Sequence, residues 1–293
     1  MALNSGSRFI TLTMGAAAAV FVVFIMIYPD KAFNASLYGL TLWWKIVFPA
    51  LLPFLVASEI MIAYGFAHFL GVLTEPAMQW LFKLPGISGW AAAVGLTAGY
   101  PAGADVTAKL RNQGLISRNE GERLLCISHL SNPVFVMSVV AVGFFHNPAL
   151  GLIVLSIHYL SAFVVGLLTR IYSSDNKSNP VVQEPNKTSI INRCFQAMEK
   201  ARFEDGRSFG KLLGDGVSSS IQTLLMIGGY IIIFSVILQV LTLSLPLESF
   251  KHILTGFFEI NLGAYAISQF LDQSPIIWKC AVLGSILAWS GLS

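Results

Sequence analysis

Residues that could do chemistry here lie in places where a membrane helix should be plain. Ser128, Ser131, Asn132 and Pro133 fall together inside the otherwise apolar run 124–145. Pro133 has no N–H to give to the carbonyl of residue 129, and its ring crowds that carbonyl. The freed carbonyl joins the serine and asparagine side chains in a polar cluster within a span. A second break is written in Gly99, Tyr100, Pro101, Ala102, Gly103 and Ala104, at the end of a short apolar segment. Pro101 suits the first turn of a half-helix, whose N-terminal amides would point at an anion. The chemistry implied is non-covalent: amides, carbonyls and hydroxyls gripping a small solute. Two plainer readings stand beside it. A kinked helix could be satisfied by its own Ser and Asn side chains, and Gly95, Gly99 and Gly103 at four-residue spacing suit close helix packing.

Acids inside apolar segments cost free energy and are functional candidates. Glu59, the lone charge in its run, reads as a coupling or substrate-orienting group, or as an internally bonded carboxyl. Asp105 reads as a second coupling candidate, or equally as a helix-start ion pair with Lys109. Glu259 with Asn261, and Ser290 with Gly291, supply the polar groups of the second half. His129 either faces the same cavity or is a packed polar residue. Ser117 and Glu120 have capping-box spacing. Gly206, Ser208 and Gly210 match a hydrolase elbow literally, but that motif needs a strand before it and a helix after it, and it lies in a charged loop. Cys126, Cys194 and Cys280 have no paired spacing, and no metal or cofactor pattern is present. The expectation is a protein that is not an enzyme, binds no nucleic acid and carries no cofactor.

These groups need helices to hold them. Of 293 residues, 55% are hydrophobic and only 11% charged, against about 25% charged in soluble domains; mean hydropathy is +0.70. The chain therefore reads as an all-α polytopic membrane protein. A bilayer core of about 30 Å needs roughly 20 apolar helical residues. Runs 9–28, 43–64, 149–171 and 218–241 qualify, the second opening on a Trp pair read as interfacial. Run 89–104 is short and ends in its breaker. Runs 65–88 and 248–274 are too interrupted to cross, and 275–289 is apolar but brief.

Orientation follows from the basic residues, which accumulate on the cytoplasmic side. With the N-terminus inside and 89–104 a re-entrant hairpin, all of the 18 Lys and Arg except Lys31, Lys45, Lys251 and Lys279 are cytoplasmic. The loop 172–215 carries Ile190, Cys194, Met198 and Ala201 at helical spacing, so it holds an amphipathic helix. That helix either lies on the lipid surface or is a solvated linker. The chain divides into a first membrane half, 1–171, this loop, 172–215, and a second half, 216–293. Span, interrupted stretch and short glycine-containing segment occur twice, at 43–104 and 218–293, with opposite orientation. Ala93, Val94 and Gly95 match Val282, Leu283 and Gly284. Inverted repeats with broken helices meeting at the midplane are the architecture of secondary transporters.

The stretch 99–104, followed by Leu110, Gly114, Leu115 and Ile116, then Glu122, Leu124 and Leu125, then 131–135, resembles the sporulation integral membrane protein YlbJ family. That family is also called stage V sporulation protein V and belongs to the nucleoside-recognition gate group. Phe257, Phe258, Glu259, Ile260, Asn261, Leu262 and Gly263 are similar to its second-half motif. The resemblance implies a fold like that of concentrative nucleoside transporters. It also implies movement of dipicolinic acid across the outer forespore membrane, with the bilayer and that small anion as partners. A non-transporting receptor or assembly factor and a nucleoside carrier are the alternatives, and a homo-oligomer is left open. Family members run on past Ser293, so the second half is expected to be incomplete, stopping where its tip should begin.

Overall fold

The computed structural model describes residues 5–172, 189–244, 251–270 and 274–291, and helix is the only regular secondary structure among them. Four stretches are long and apolar enough to cross a bilayer: Arg8–Ile27, Pro29–Ala63, Pro148–Thr169 and Phe209–Leu243. The protein is an all-α polytopic membrane protein. Its first helix, α1 (Ser5–Ile27), is an apolar rod with little packing against the rest.

The second crossing begins earlier than its hydropathy suggests. Helix α2 (Pro29–Leu42) runs through a wide π-type turn, Trp43–Val47, into α3 (Phe48–Ala63). Asp30, Lys31 and Asn34 lower the local apolarity, yet Pro29 in the first turn and Asp30 beside it start a helix well. Trp43 is consequently not at an interface. It is buried, and its indole Nε1 donates to the Leu224 carbonyl at 2.8 Å. Leu224 belongs to α10 (Phe209–Ser244), which packs antiparallel along α2 and α3. Gly228 and Gly39 make room: an added methyl would sit 2.7 Å from the Trp43 ring and 2.6 Å from Ser235 Oγ respectively.

These two helices, 35 and 36 residues long, each reach about 50 Å, well beyond a hydrocarbon core of about 30 Å. They meet at their midpoints, Trp43 against Leu224. Glu59 lies about 24 Å along the helix from Trp43, four residues before the end of α3.

Between α3 and Phe144 the chain is made of shorter elements. Helix α4 (Phe66–Trp80) packs on α5 (Ser88–Ala98), and α5 turns through 99–101 into α6 (Ala102–Asn112). Eleven residues per arm reach about 16 Å, half a bilayer. The re-entrant hairpin is thus 88–112, with its tip where the sequence put the break, and its second arm is the charged segment beyond 104. Helix α7 (Arg118–Ser128) opens with the expected capping box: Ser117 N–H donates to Glu120 Oε2 at 2.7 Å, and Glu120 N–H to Ser117 Oγ at 3.2 Å. After an extended stretch, a π-type helix (Phe135–Phe144) completes that crossing, and α8 (Pro148–Thr169) follows.

The second half repeats this order in a register the sequence comparison missed. The second hairpin is α11 (Lys251–Phe258) and α12 (Ile260–Phe270), broken at Glu259. Helix α13 (Ile276–Trp289) corresponds to α7, ending in Ser290 and Gly291, both left-handed at φ 64° and 79°. The glycines carry the match. Gly103 faces Gly95 across the first hairpin, and Gly263 faces Gly256 across the second, each too close for a methyl group. Glu259 and Asn261 made 248–274 read as an interrupted amphipathic stretch, when they are its tip. The apolar brevity of 276–289 imitated a hairpin arm, so the pairing of 93–95 with 282–284 does not hold.

Helix α9 (Ile190–Asp205) forms on the expected spacing. Its Cys194 and Ala201 stripe is buried against α4 rather than laid on lipid. Arg193 pairs with Glu75 at 2.6 Å, Phe195 meets Phe69 edge-on at 5.4 Å, and Arg202 lies 4.7 Å over the Tyr64 ring. Gly206 ends α9 in a left-handed turn, and α10 starts three residues on, before the expected boundary at 216. A helix, not a strand, therefore precedes the Gly206, Ser208, Gly210 pattern.

Candidate functional site

Four chain breaks converge. At the first tip, Gly99 adopts φ +77°, and a methyl there would sit 2.8 Å from the Asn132 nitrogen. Only glycine meets both demands. Tyr100, joined to Pro101 by a cis peptide, turns back toward α7: its N–H donates to the Leu130 carbonyl at 2.8 Å. Its hydroxyl pairs with Ser131 Oγ at 3.3 Å, and its ring lies 5.3 Å from that of His129.

The Asn-Pro break is two half-helices joined by extended chain, not a kink in one helix. Helix α7 stops at Ser128, and Asn132 Oδ1 accepts the Phe135 N–H at 2.7 Å, capping the helix that Pro133 begins. Ser128 Oγ pairs with Thr107 Oγ1 at 3.0 Å, and Thr107 donates to the Gly103 carbonyl at 2.8 Å. Gly95 and Gly103 straddle the Ser128 carbonyl, with no space for a Cβ on either. Ser131 is held from α8: its N–H donates to His158 Nε2 at 3.1 Å, and its carbonyl accepts the Tyr159 hydroxyl at 3.0 Å.

From the second half, His129 Nε2 meets Ser290 Oγ at 3.2 Å, joining the two broken helices directly. Gly291 lies against the other tip, where a methyl would be 3.3 Å from both the Ile260 nitrogen and the Phe258 carbonyl oxygen. Glu259 is 1% exposed. Its Oε2 accepts the Leu262 N–H at 2.6 Å and its Oε1 accepts from Asn261 Nδ2 at 2.8 Å, so it caps α12. No cation pairs with it among the described residues. Two buried polar atoms here lack partners, Asn261 Oδ1 and His129 Nδ1. Tyr100 packs on the core that holds Ile260 and Leu262, within Coulombic reach of Glu259.

Three half-helix N-termini point into this region, each the positive end of a dipole. Asn132 caps one and Glu259 caps another. That of α6, headed by Ala102, Gly103 and Ala104, has no side-chain cap, and the Gly103 N–H donates to the Gly99 carbonyl at 3.3 Å. Beside the break a cleft of about 190 Å³ is walled by Phe54, Met61, Ile62 and Pro133, with Ser58 and Thr97 its polar groups. It suits an apolar body next to a polar grip.

The structure thus gathers 99–104, Ser128, Ser131, Asn132, Pro133, Glu259, Asn261, Ser290 and Gly291. It does not bring in Glu59, which accepts from Ser219 of α10 at 3.2 Å. Asp105 pairs with Lys109 at 2.6 Å, both exposed, as a first-turn carboxylate would. His158, Tyr159 and Thr107 were missed. A signal existed for His158, because a histidine in a span that otherwise reads as clean is costly there.

Comparisons with known proteins bear on this arrangement. A family profile described as Gate, nucleoside recognition, matches residues 44–163, which run from the α2–α3 turn through α8 and include the first tip and break. The chain is 38% identical to the sporulation integral membrane protein YlbJ of Bacillus subtilis (strain 168), over 98% of this chain and 74% of that protein. The chain belongs to the YlbJ family. The gate profile ends within α8, and the alignment with the Bacillus protein extends over nearly all of the chain, α10 to α13 included. No solved structure gives a significant match.

Proposed function

We propose that this YlbJ-family chain is a carrier that moves a small anion, dipicolinate, by alternating access, with no covalent step. The observation that carries the reading is the meeting of two broken helices through His129 and Ser290, with a hairpin tip beside each. Inside lipid, backbone leaves the helical path only against protein or a wet cavity, and paired breaks of this kind line solute sites in inverted-repeat carriers. The uncapped start of α6 would take one carboxylate, and the Asn132 amide and Tyr100 hydroxyl would orient the ring.

Glu259 constrains the mechanism. An anion beside a buried carboxylate is repelled unless that carboxylate is neutralised, and a proton or cation taken up with the substrate would do so. By the distribution of Lys and Arg we place the N-terminus in the cytoplasm, and by family we place the protein in the outer forespore membrane of the mother cell. The test is uptake of labelled dipicolinate into proteoliposomes under imposed proton or sodium gradients. Uptake driven by one gradient supports the carrier; absence of uptake under either leaves a receptor or assembly role. The gate profile favours one rival, a nucleoside carrier, and displacement of dipicolinate by excess uridine would decide for it.

A further inference from the structure

We propose that His158 and Tyr159 are positioning residues of this site: together they take both peptide groups of Ser131 and hold the break of α7 open. The inference rests on the carrier reading for its consequence, but not for its geometry. An extended residue directs its own N–H and C=O to the same side, as a strand residue does toward its ladder partner. Here α8 supplies the partner. His158 Nε2 accepts the N–H at 3.1 Å, and the Tyr159 hydroxyl donates to the C=O at 3.0 Å. Ser131 is fully buried, so without this clamp both groups would stand unpaired or draw in water.

The clamp fixes what the break presents. With the Ser131 backbone occupied and its Oγ turned to Tyr100, the polar groups left free beside the tip are the Asn132 amide nitrogen and His129 Nδ1, the other ring nitrogen being bonded to Ser290. The clamp also fixes the imidazole. A backbone N–H needs a lone pair to donate to, so Nε2 of His158 is unprotonated, the ring is neutral, and its proton is on Nδ1. The tautomer is thus a direct signature of the role.

The test uses the full chain in lipid nanodiscs with 15N-labelled histidine, the His158 resonances being identified by their loss in His158→Gln. A neutral ring protonated on Nδ1 is expected; a proton on Nε2 overturns the proposal, whatever the variants do. Residue-level hydrogen exchange follows. In His158→Leu the Ser131 amide should exchange about tenfold faster or more, as for one lost net hydrogen bond, with the α8 amides unchanged. Gln places an acceptor near the position of Nε2, so His158→Gln should restore protection. Protection undiminished in His158→Leu would also overturn it. In proteoliposomes, dipicolinate uptake should fall in His158→Leu and Tyr159→Phe and recover in His158→Gln. If the wild type takes up none, the proposed function fails while the tautomer and exchange results still judge the clamp.

Discussion

Replacing Glu259 by Gln separates a structural carboxylate from a working one. The carboxylate is 1% exposed and accepts two hydrogen bonds, at 2.6 and 2.8 Å. Exchanging charged for neutral acceptors costs about 1 kcal/mol per bond, or about 2 kcal/mol in all. Against that, a buried unpaired charge carries a desolvation penalty of several kcal/mol that glutamine lacks. Geometry also permits the exchange. Gln Oε1 takes the Leu262 N–H, and Gln Nε2 donates to Asn261 Oδ1, which has no partner in the wild type, once the Asn261 amide turns over. The net is a change within about 1 kcal/mol, or a gain. Glu259→Ala instead strands the Leu262 N–H and the Asn261 amide, at about 1–3 kcal/mol each. Thermal unfolding in detergent should therefore rank Gln level with or above wild type and Ala well below. Dipicolinate uptake should be lost in both. Equal destabilisation by Gln and Ala would refute the reasoning, because it would mean that a bound cation makes the carboxylate a structural ion pair.

Gly103→Ala places a methyl against the Ser128 carbonyl, so the hairpin must separate from α7; we expect a loss of about 2–3 kcal/mol, read by the same unfolding assay. Trp43→Phe leaves the Leu224 carbonyl without its indole donor and opens space beside Gly228, costing about 2–3 kcal/mol with insertion unchanged in a membrane-fractionation assay. At the junction of α9 and α10, Asp205 is bonded by Arg207 at 2.7 Å and by Arg202 at 3.4 Å, which holds its carboxyl below the usual range. A lowered pKa means stability that is present above the unfolded value, about 3.9, and lost as pH falls through the folded one. The protection of amides 205–211, taken relative to intrinsic exchange at each pH, should hold at pH 5 and fall only below about pH 4, a response that Asp205→Asn removes.

What the sequence disclosed was mostly what lipid forbids. Pro101 and Pro133 announced both breaks of the first half because a missing N–H cannot be hidden in hydrocarbon, and the low charge content excluded a soluble fold. The capping box at Ser117 and the stripe of α9 were legible as local patterns. Partners were not: nothing in Cys194 or Ala201 says that they face α4 instead of lipid, since both environments are apolar. The second hairpin was illegible for a related reason. Glu259 and Asn261 lowered the apolarity that marks membrane segments, so the polar tip disguised the element carrying it. Gly256 and Gly263 held the answer, but only contact shows two glycines to be opposed. Trp43 misled because a tryptophan pair at the edge of an apolar run reads as an anchor, and the preceding turns of α2 were too polar to extend that run.

Convergence of the broken segments on water within the bilayer is what the account depends on most. Single cysteines at Pro101, Asn132 and Ser290, in a chain with Cys126, Cys194 and Cys280 replaced, report it through a membrane-impermeant thiol reagent. Leu152 and Leu160, exposed on the spanning helix α8, serve as controls. The account predicts that all three site positions label, that excess dipicolinate protects them, and that the controls do not react. Site positions as unreactive as Leu152 from both faces of the membrane would contradict it.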